Sequence, residues 1–273
     1  MAKLKIKKND VWIDMTPMSD VMVLLLTFFM LSANFVKNEV VKVQTPATKT
    51  ESKVPKNATL DIMVKPDTLN KGAANEQIVG RVYLGTDKVA TMDSALNLLL
   101  KVPQFKSTAD AMNDELRKSF LAETQIGIPM KEVAAYLKKT HEERVKDLKT
   151  NAGLIKQGND IHYMFLDSLV ELSSPIGPGG KTGIIQAGTY SEFELWVKAM
   201  KIGYKQWRAA YVEKEKPDAL ALADIPEELD ICIKADKATP YITFRTVISE
   251  LQDINESHYK LLTQYKKEEQ KKQ

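Results

Sequence analysis

Ile13-Asp14-Met15-Thr16-Pro17-Met18-Ser19-Asp20-Val21-Met22-Val23-Leu24-Leu25-Leu26-Thr27-Phe28-Phe29-Met30-Leu31 holds the only membrane-length apolar run of this chain, with one acid, Asp20, at its head. A carboxylate placed centrally in a membrane helix costs about 2.5–3.5 kcal/mol on insertion scales. A residue that expensive points to ions or protons. Thr16 as N-cap and Pro17 at the first helical position form a helix start. They place Asp20 within roughly the first turn, where unpaired amides and the helix dipole favour negative charge. Apolar neighbours oppose that charge. A carboxyl between those two influences can load and release a proton. Thr16, Asp20, Leu24 and Thr27 are spaced to share one helix face, so the acid has hydroxyls on either side while Phe28, Phe29 and Met30 mostly point elsewhere. The plainer reading is an acid that snorkels to the interface, a task for which aspartate is short.

The strictly apolar part, residues 21–36, is short for a hydrocarbon core of about 30 Å. Met18, Pro17 and the triplet Val11-Trp12-Ile13 extend it to a span over residues 12–36, with Trp12 at interface depth. Lys3, Lys5, Lys7 and Lys8 precede it without an acid among them. The positive-inside rule then puts residues 1–11 in the cytoplasm and residues 37–273 across the membrane. A cleaved signal peptide is the rival reading, since it shares the basic start, the apolar core and the small residues Ser32 and Ala33. Against it, Asp14 and Asp20 interrupt the boundary of the apolar core, and Asn34, Phe35 and Val36 continue the run past the cleavage point.

The remaining composition excludes more than it proposes. At 273 residues and a net charge of +3, the chain has room for one or two domains and gives no reason to expect nucleic acid. One cysteine, Cys232, rules out an intramolecular disulfide and a cysteine metal cluster. His141, His162 and His258 have no partner at metal-ligand spacing. No nucleophile–base arrangement can be defended from residue order. Neither enzyme chemistry, a cofactor nor a metal is therefore expected. Pro175-Ile176-Gly177-Pro178-Gly179-Gly180-Lys181-Thr182 has the look of a phosphate loop but lacks its first glycine, and reads as a surface turn.

Residues 37–57 read as a linker. Alternation of Leu60, Ile62 and Val64 with polar residues predicts a half-buried strand over 58–65, repeated at 78–84. Met92, Ala95, Leu96, Leu99 and Leu100 predict a helix over 91–102. A closing strand (229–234), helix (240–254) and last strand (259–263) complete a small α+β domain. Its core is 58–102 with 227–265, interrupted by a largely helical insertion at 103–226 and followed by a charged tail, 266–273. Within the insertion, Met130, Val133, Ala134 and Leu137 mark one amphipathic helix, continued by a charged face to Leu148. Phe193, Trp196, Val197, Met200, Tyr204, Trp207 and Tyr211 mark another, opened by Ser191 and Glu194 at capping-box spacing. That aromatic stripe reads as core, with a ligand box or a docking surface as the other possibilities. Asp236 reads as a turn or capping residue ahead of Thr239 and Pro240.

The membrane stretch from Ile13 to Leu26 resembles the N-terminal signature of the ExbD/TolR biopolymer transport family, a Thr-Pro pair followed by an aspartate that opens a single transmembrane helix. Leu60-Asp61-Ile62-Met63-Val64-Lys65 and Val82-Tyr83-Leu84-Gly85 resemble the first strands of its periplasmic domain. Asp230-Ile231-Cys232-Ile233-Lys234-Ala235-Asp236-Lys237 with Pro240-Tyr241 resembles its strand-turn-helix segment. The resemblance implies an inner-membrane, single-pass motor subunit. Its helices enter as a homodimer inside a pentameric, polytopic partner of the ExbB/TolQ type, with Asp20 as the proton carrier. Proton motive force would pass to a TonB- or TolA-like energy transducer, at about 2.3 kcal/mol per charge per 100 mV. The segments 58–85 and 231–237 look more ExbD-like, which favours TonB-type service. The alternative is a TolR-like or anchored periplasmic scaffold that touches peptidoglycan or another envelope partner. The long insertion is unusual for either.

Overall fold

The computed structural model describes residues 16–32, 41–48, 57–69, 77–123, 125–150, 154–157, 160–163, 169–172, 175, 185–216, 222 and 225–265. The chain divides into two units, Met1–Asn38 and Glu39–Gln273. In the first, helix α1 spans Thr16–Ser32. Its 17 residues reach about 25 Å at 1.5 Å per residue, short of a bilayer core of about 30 Å. No helix among the described residues is long and apolar enough to cross a membrane. The expected flanks of that span, Trp12 on one side and Asn34, Phe35 and Val36 on the other, lie outside the described residues, as do the four N-terminal lysines.

The second unit runs β1 (Ala47–Thr48), β2 (Thr59–Leu69), β3 (Gln77–Thr86), α2 (Val89–Leu99), a 3-10 turn (Pro103–Phe105), α3 (Lys106–Ala111), α4 (Asp114–Ala122) and β4 (Gln125–Ile126). It continues with α5 (Met130–Leu137), α6 (His141–Thr150), β5 (Leu154–Gln157), β6 (Asp160–Tyr163), β7 (Leu169–Leu172), β8 (Gly188–Ser191) and α7 (Glu192–Glu215). It closes with β9 (Asp230–Ala235), α8 (Tyr241–Asp253), β10 (Tyr259–Leu261) and β11 (Gln264–Tyr265). The architecture is α+β, and the predicted strands and helices of both core segments are present within a few residues of their expected limits.

The main sheet has the order β10-β9-β2-β3-β4. The pairs β10–β9 and β9–β2 are parallel, and β2–β3 and β3–β4 are antiparallel. A parallel neighbour needs a crossover, and α8 supplies it between β9 and β10. Register places Leu60, Ile62 and Val64 beside Ile231 and Ile233 on one side and Leu84 and Val82 on the other. All seven are buried. On this face α8 comes so close to β3 that a Cβ at Gly80 would lie 2.5 Å from Cγ2 of Thr243.

The opposite face corrects the half-buried expectation. Asp61, Asp67, Arg81 and Lys234 keep it polar, and the ion pairs Arg81–Asp67 and Lys234–Asp61 cross it. Met63 and Tyr83 lie on this same face yet are 2% and 1% exposed. Their cover comes from the 103–226 stretch. The Tyr83 hydroxyl donates to the Leu148 carbonyl of α6 at 3.0 Å, and Gln125 of β4 contacts the Met63 sulfur at 3.1 Å. Burial pushes the Tyr83 phenol up to about 12. Gly127 lets the ring in, because a Cβ there would sit 2.5 Å from Tyr83 Cδ1.

The 103–226 stretch is less uniformly helical than expected, since it also carries β4 and the antiparallel pairs β5–β6 and β7–β8. The amphipathic helix expected to run from Met130 to Leu148 is broken into α5 and α6. Thr140 and Glu143 form the break: the Glu143 carboxylate accepts the Thr140 amide at 3.0 Å, and the Thr140 hydroxyl accepts the Glu143 amide at 3.4 Å. That is a capping box, which starts a new helix. Helix α7 opens as the spacing predicts, with the Glu194 amide donating to Ser191 Oγ (3.1 Å) and the Ser191 amide to Glu194 Oε2 (2.8 Å). Phe193, Trp196, Val197, Met200 and Tyr204 are buried, so the stripe is core, each large side chain contributing about 1.5–3 kcal/mol. Past the core, Trp207 stacks on Tyr211 at 5.4 Å, and Lys88 Nζ lies 5.3 Å from the Trp207 ring.

Candidate functional site

Asp20 is the fifth residue of α1, which places it in the second turn; the first turn contains no acid. Thr16 and Pro17 are the first two residues of the described helix, and the residues ahead of them lie outside the described ones. Every described side chain of α1 from Pro17 to Met30 is exposed. The apolar ones, from Met18 at 60% and Leu24 at 59% to Met30 at 69%, surround the helix on all sides. A helix apolar all round is covered by something else, lipid or protein. Asp20 is the one charged group it carries.

Steps of 100° per residue put Thr16, Asp20, Leu24 and Thr27 within one stripe. The Thr27 hydroxyl is already engaged, donating to the Leu24 carbonyl 3.0 Å away. This back-bonding leaves its oxygen available only as an acceptor beside the stripe. Phe28 and Phe29 meet edge-on at 5.9 Å. What α1 offers is a single carboxyl on a helix whose other side chains are apolar or carry only a hydroxyl.

The expected linker is in part a strap. Residues 41–48 belong to the second unit, and Val41 is 1% exposed. Gln125 grips Val41 as a neighbouring strand would, accepting its amide at 2.7 Å and donating to its carbonyl at 3.1 Å. Asp236 holds the next turn of chain: its Oδ2 accepts the Gln44 amide at 2.9 Å while Oδ1 accepts the Ala238 amide at 3.1 Å. Asp236 is thus a turn residue and a strap anchor. It does not cap α8, whose N-cap is Pro240. The strap finishes as β1, which pairs in parallel with β11. Residues 49–56, the rest of the expected linker, lie outside the described residues.

Gln125→Ala should release this strap. It strands the Val41 amide and carbonyl in a buried place, at about 1–3 kcal/mol each, so the segment lifts rather than pay that penalty. Trypsin should then cut after Lys42 in the variant well before it cuts the core, whereas the wild-type strap stays protected. Equal cleavage rates would mean that Gln125 does not hold it.

The remaining candidates separate cleanly. His141 and His258 are exposed, and the side chain of His162 lies outside the description. Among the described residues no three His, Cys, Asp or Glu side chains cluster for a metal. Cys232 is buried on the sheet, and burial, then Asp61 and Asp230, push its thiol up to about 11, which keeps it an inert thiol. Of the glycine-rich stretch only Pro175 is described, and the charged tail 266–273 lies outside.

Comparison with known proteins bears on α1 first. No curated protein and no solved structure matches the chain. The family described as Biopolymer transport protein ExbD/TolR matches residues 7–170. That match takes in α1 with Asp20, the strap, β2, β3 and the helices up to α6, and ends before β9 and Asp236. It covers more than half of the sequence, and the chain belongs to the ExbD/TolR family of biopolymer transport proteins.

Proposed function

We propose that this chain is the proton-carrying subunit of an inner-membrane complex of the ExbB–ExbD type, coupling proton motive force to TonB-dependent transport at the outer membrane. The observation that carries the proposal is Asp20, a lone acid on a helix whose described apolar side chains are all exposed. Membership of the biopolymer transport family supports a membrane partner of the ExbB/TolQ type around that helix. In this reading α1 with its flanks spans the membrane once, the N-terminus is cytoplasmic, and Glu39–Gln273 lies in the periplasm. Two copies of α1 occupy the partner's pore. Asp20 takes a proton from one side and gives it to the other, and the folded unit passes the resulting motion to a TonB-like transducer. Each charge crossing 100 mV releases about 2.3 kcal/mol, so a few protons supply a mechanical step.

The test is reconstitution with an ExbB-type polytopic partner in lipid vesicles containing a pH-sensitive dye. Proton flux is expected only when both proteins are present and a membrane potential is applied. Flux from the partner alone at the same rate would overturn the motor reading and favour an anchored scaffold of the TolR kind that binds peptidoglycan.

A further inference from the structure

Glu192, the first residue of α7, is 0% exposed. Its Oε1 accepts the backbone amide of Met130, the first residue of α5, at 2.6 Å. Among the described residues its Oε2 is buried with no hydrogen-bond partner. One turn along α7, the Trp196 indole nitrogen is also buried without one. The indole N–H favours the ionised carboxylate without reaching hydrogen-bond geometry. Of the charged groups facing the site, both on α5, Lys131 favours ionisation and Glu132 opposes it. On the far side of the same turn the Thr108 hydroxyl of α3 donates to the Met130 carbonyl at 2.9 Å, so three helices meet here.

We propose that the α3–α5–α7 junction is a proton-binding site in which Glu192 is held neutral, and that loss of this proton loosens α5 from α7. Among the described residues no donor bonds Oε2, and a buried charge of that kind is relieved either by protonation or by opening. The neutral acid keeps the bond from Met130 and leaves only a hydroxyl unpaired. Burial pushes Glu192 up to about 7, against an ordinary carboxylate value of 4.5. The direction of the pH effect follows: a carboxyl raised in the closed state holds the junction fully below the ordinary value. That hold is lost as pH rises from 4.5 toward 7. This site is independent of the role of Asp20.

The measurement is hydrogen exchange of the α5 amides in the full-length chain in detergent micelles, corrected for the intrinsic pH dependence of exchange. In the wild type, protection is expected to fall roughly seventy-fold between pH 5 and pH 8. Glu192→Gln keeps the acceptor for Met130 but cannot ionise, and its protection should not change across that range. Trp196→Phe removes the N–H that favours the anion, so its transition should move to higher pH. A direct carbon-13 titration of the Glu192 carboxyl keeps the question open to failure if either variant folds poorly. An apparent value near 7 upholds the site, and one near 4.5 overturns it. The same slope in Glu192→Gln as in the wild type would also overturn it.

Discussion

Asp20→Asn is expected to assemble with its partner at wild-type levels and to reduce proton flux to that of vesicles lacking the chain. Asparagine has nearly the shape of aspartate and can make similar hydrogen bonds, so α1 keeps its face. What it loses is titration. It also removes the insertion cost of a charged group, about 2.5–3.5 kcal/mol at a helix centre, so the variant should enter the membrane at least as readily. Loss of flux with assembly retained therefore isolates proton carriage from anchoring. Thr27→Ala is the matched control on the same stripe. The Thr27 hydroxyl is committed to the Leu24 carbonyl, and removing it frees one backbone acceptor in a helix that already bonds it. That variant should retain most of the flux. If Asp20→Asn conducts like the wild type, the acid on α1 is not the carrier.

What could be read from residues alone divides along a physical line. Strands β2, β3 and β9 and helices α2 and α8 each bury a face in the core, while α1 announces itself as an apolar run. A period of two or 3.6 in apolar residues reports that burial directly. The Ser191–Glu194 capping box was equally local. The same four-residue grammar at Thr140–Glu143 marks the break between α5 and α6, yet a continuous charged face masked it. Met63, Tyr83 and Val41 were illegible for a different reason. Their cover comes from Gln125 and Leu148, residues 62 to 84 positions away, and no periodicity encodes a distant partner. The strap was missed on the same ground, since Gln44 is held by Asp236, 192 positions on. Glu192 was invisible because an acid at the first position of a helix normally faces water and the dipole. Here α5 arrives on it instead, and its first amide bonds the carboxyl.

Gly203→Leu is expected to lower the stability of the folded unit by about 3 kcal/mol, the upper end of what overpacking costs. Gly203 lies buried in the middle of α7, where glycine ordinarily weakens a helix by about 1 kcal/mol relative to alanine. It is kept there by α2. A Cβ at this position would meet Ser94 Cβ at 2.8 Å, the Thr91 carbonyl oxygen at 3.0 Å and the Ala95 amide nitrogen at 3.3 Å. Two of those three atoms are backbone, so α2 could yield only by moving as a body. Such a shift would disturb Leu96 and Leu99, which are 0% and 1% exposed. The two substitutions then differ in sign from what helix propensity predicts. Gly203→Ala should destabilise by about 1 kcal/mol where propensity alone would stabilise by a similar amount. Urea unfolding of the full-length chain in micelles, followed through Trp196 and Trp207 fluorescence, measures both as a fall in the midpoint. Ser94→Gly removes the nearest side-chain contact. In the Gly203→Ala background it should recover part of the loss, a coupling that a double-mutant cycle detects. A midpoint that rises in Gly203→Ala would show that α2 and α7 are not in contact through that glycine.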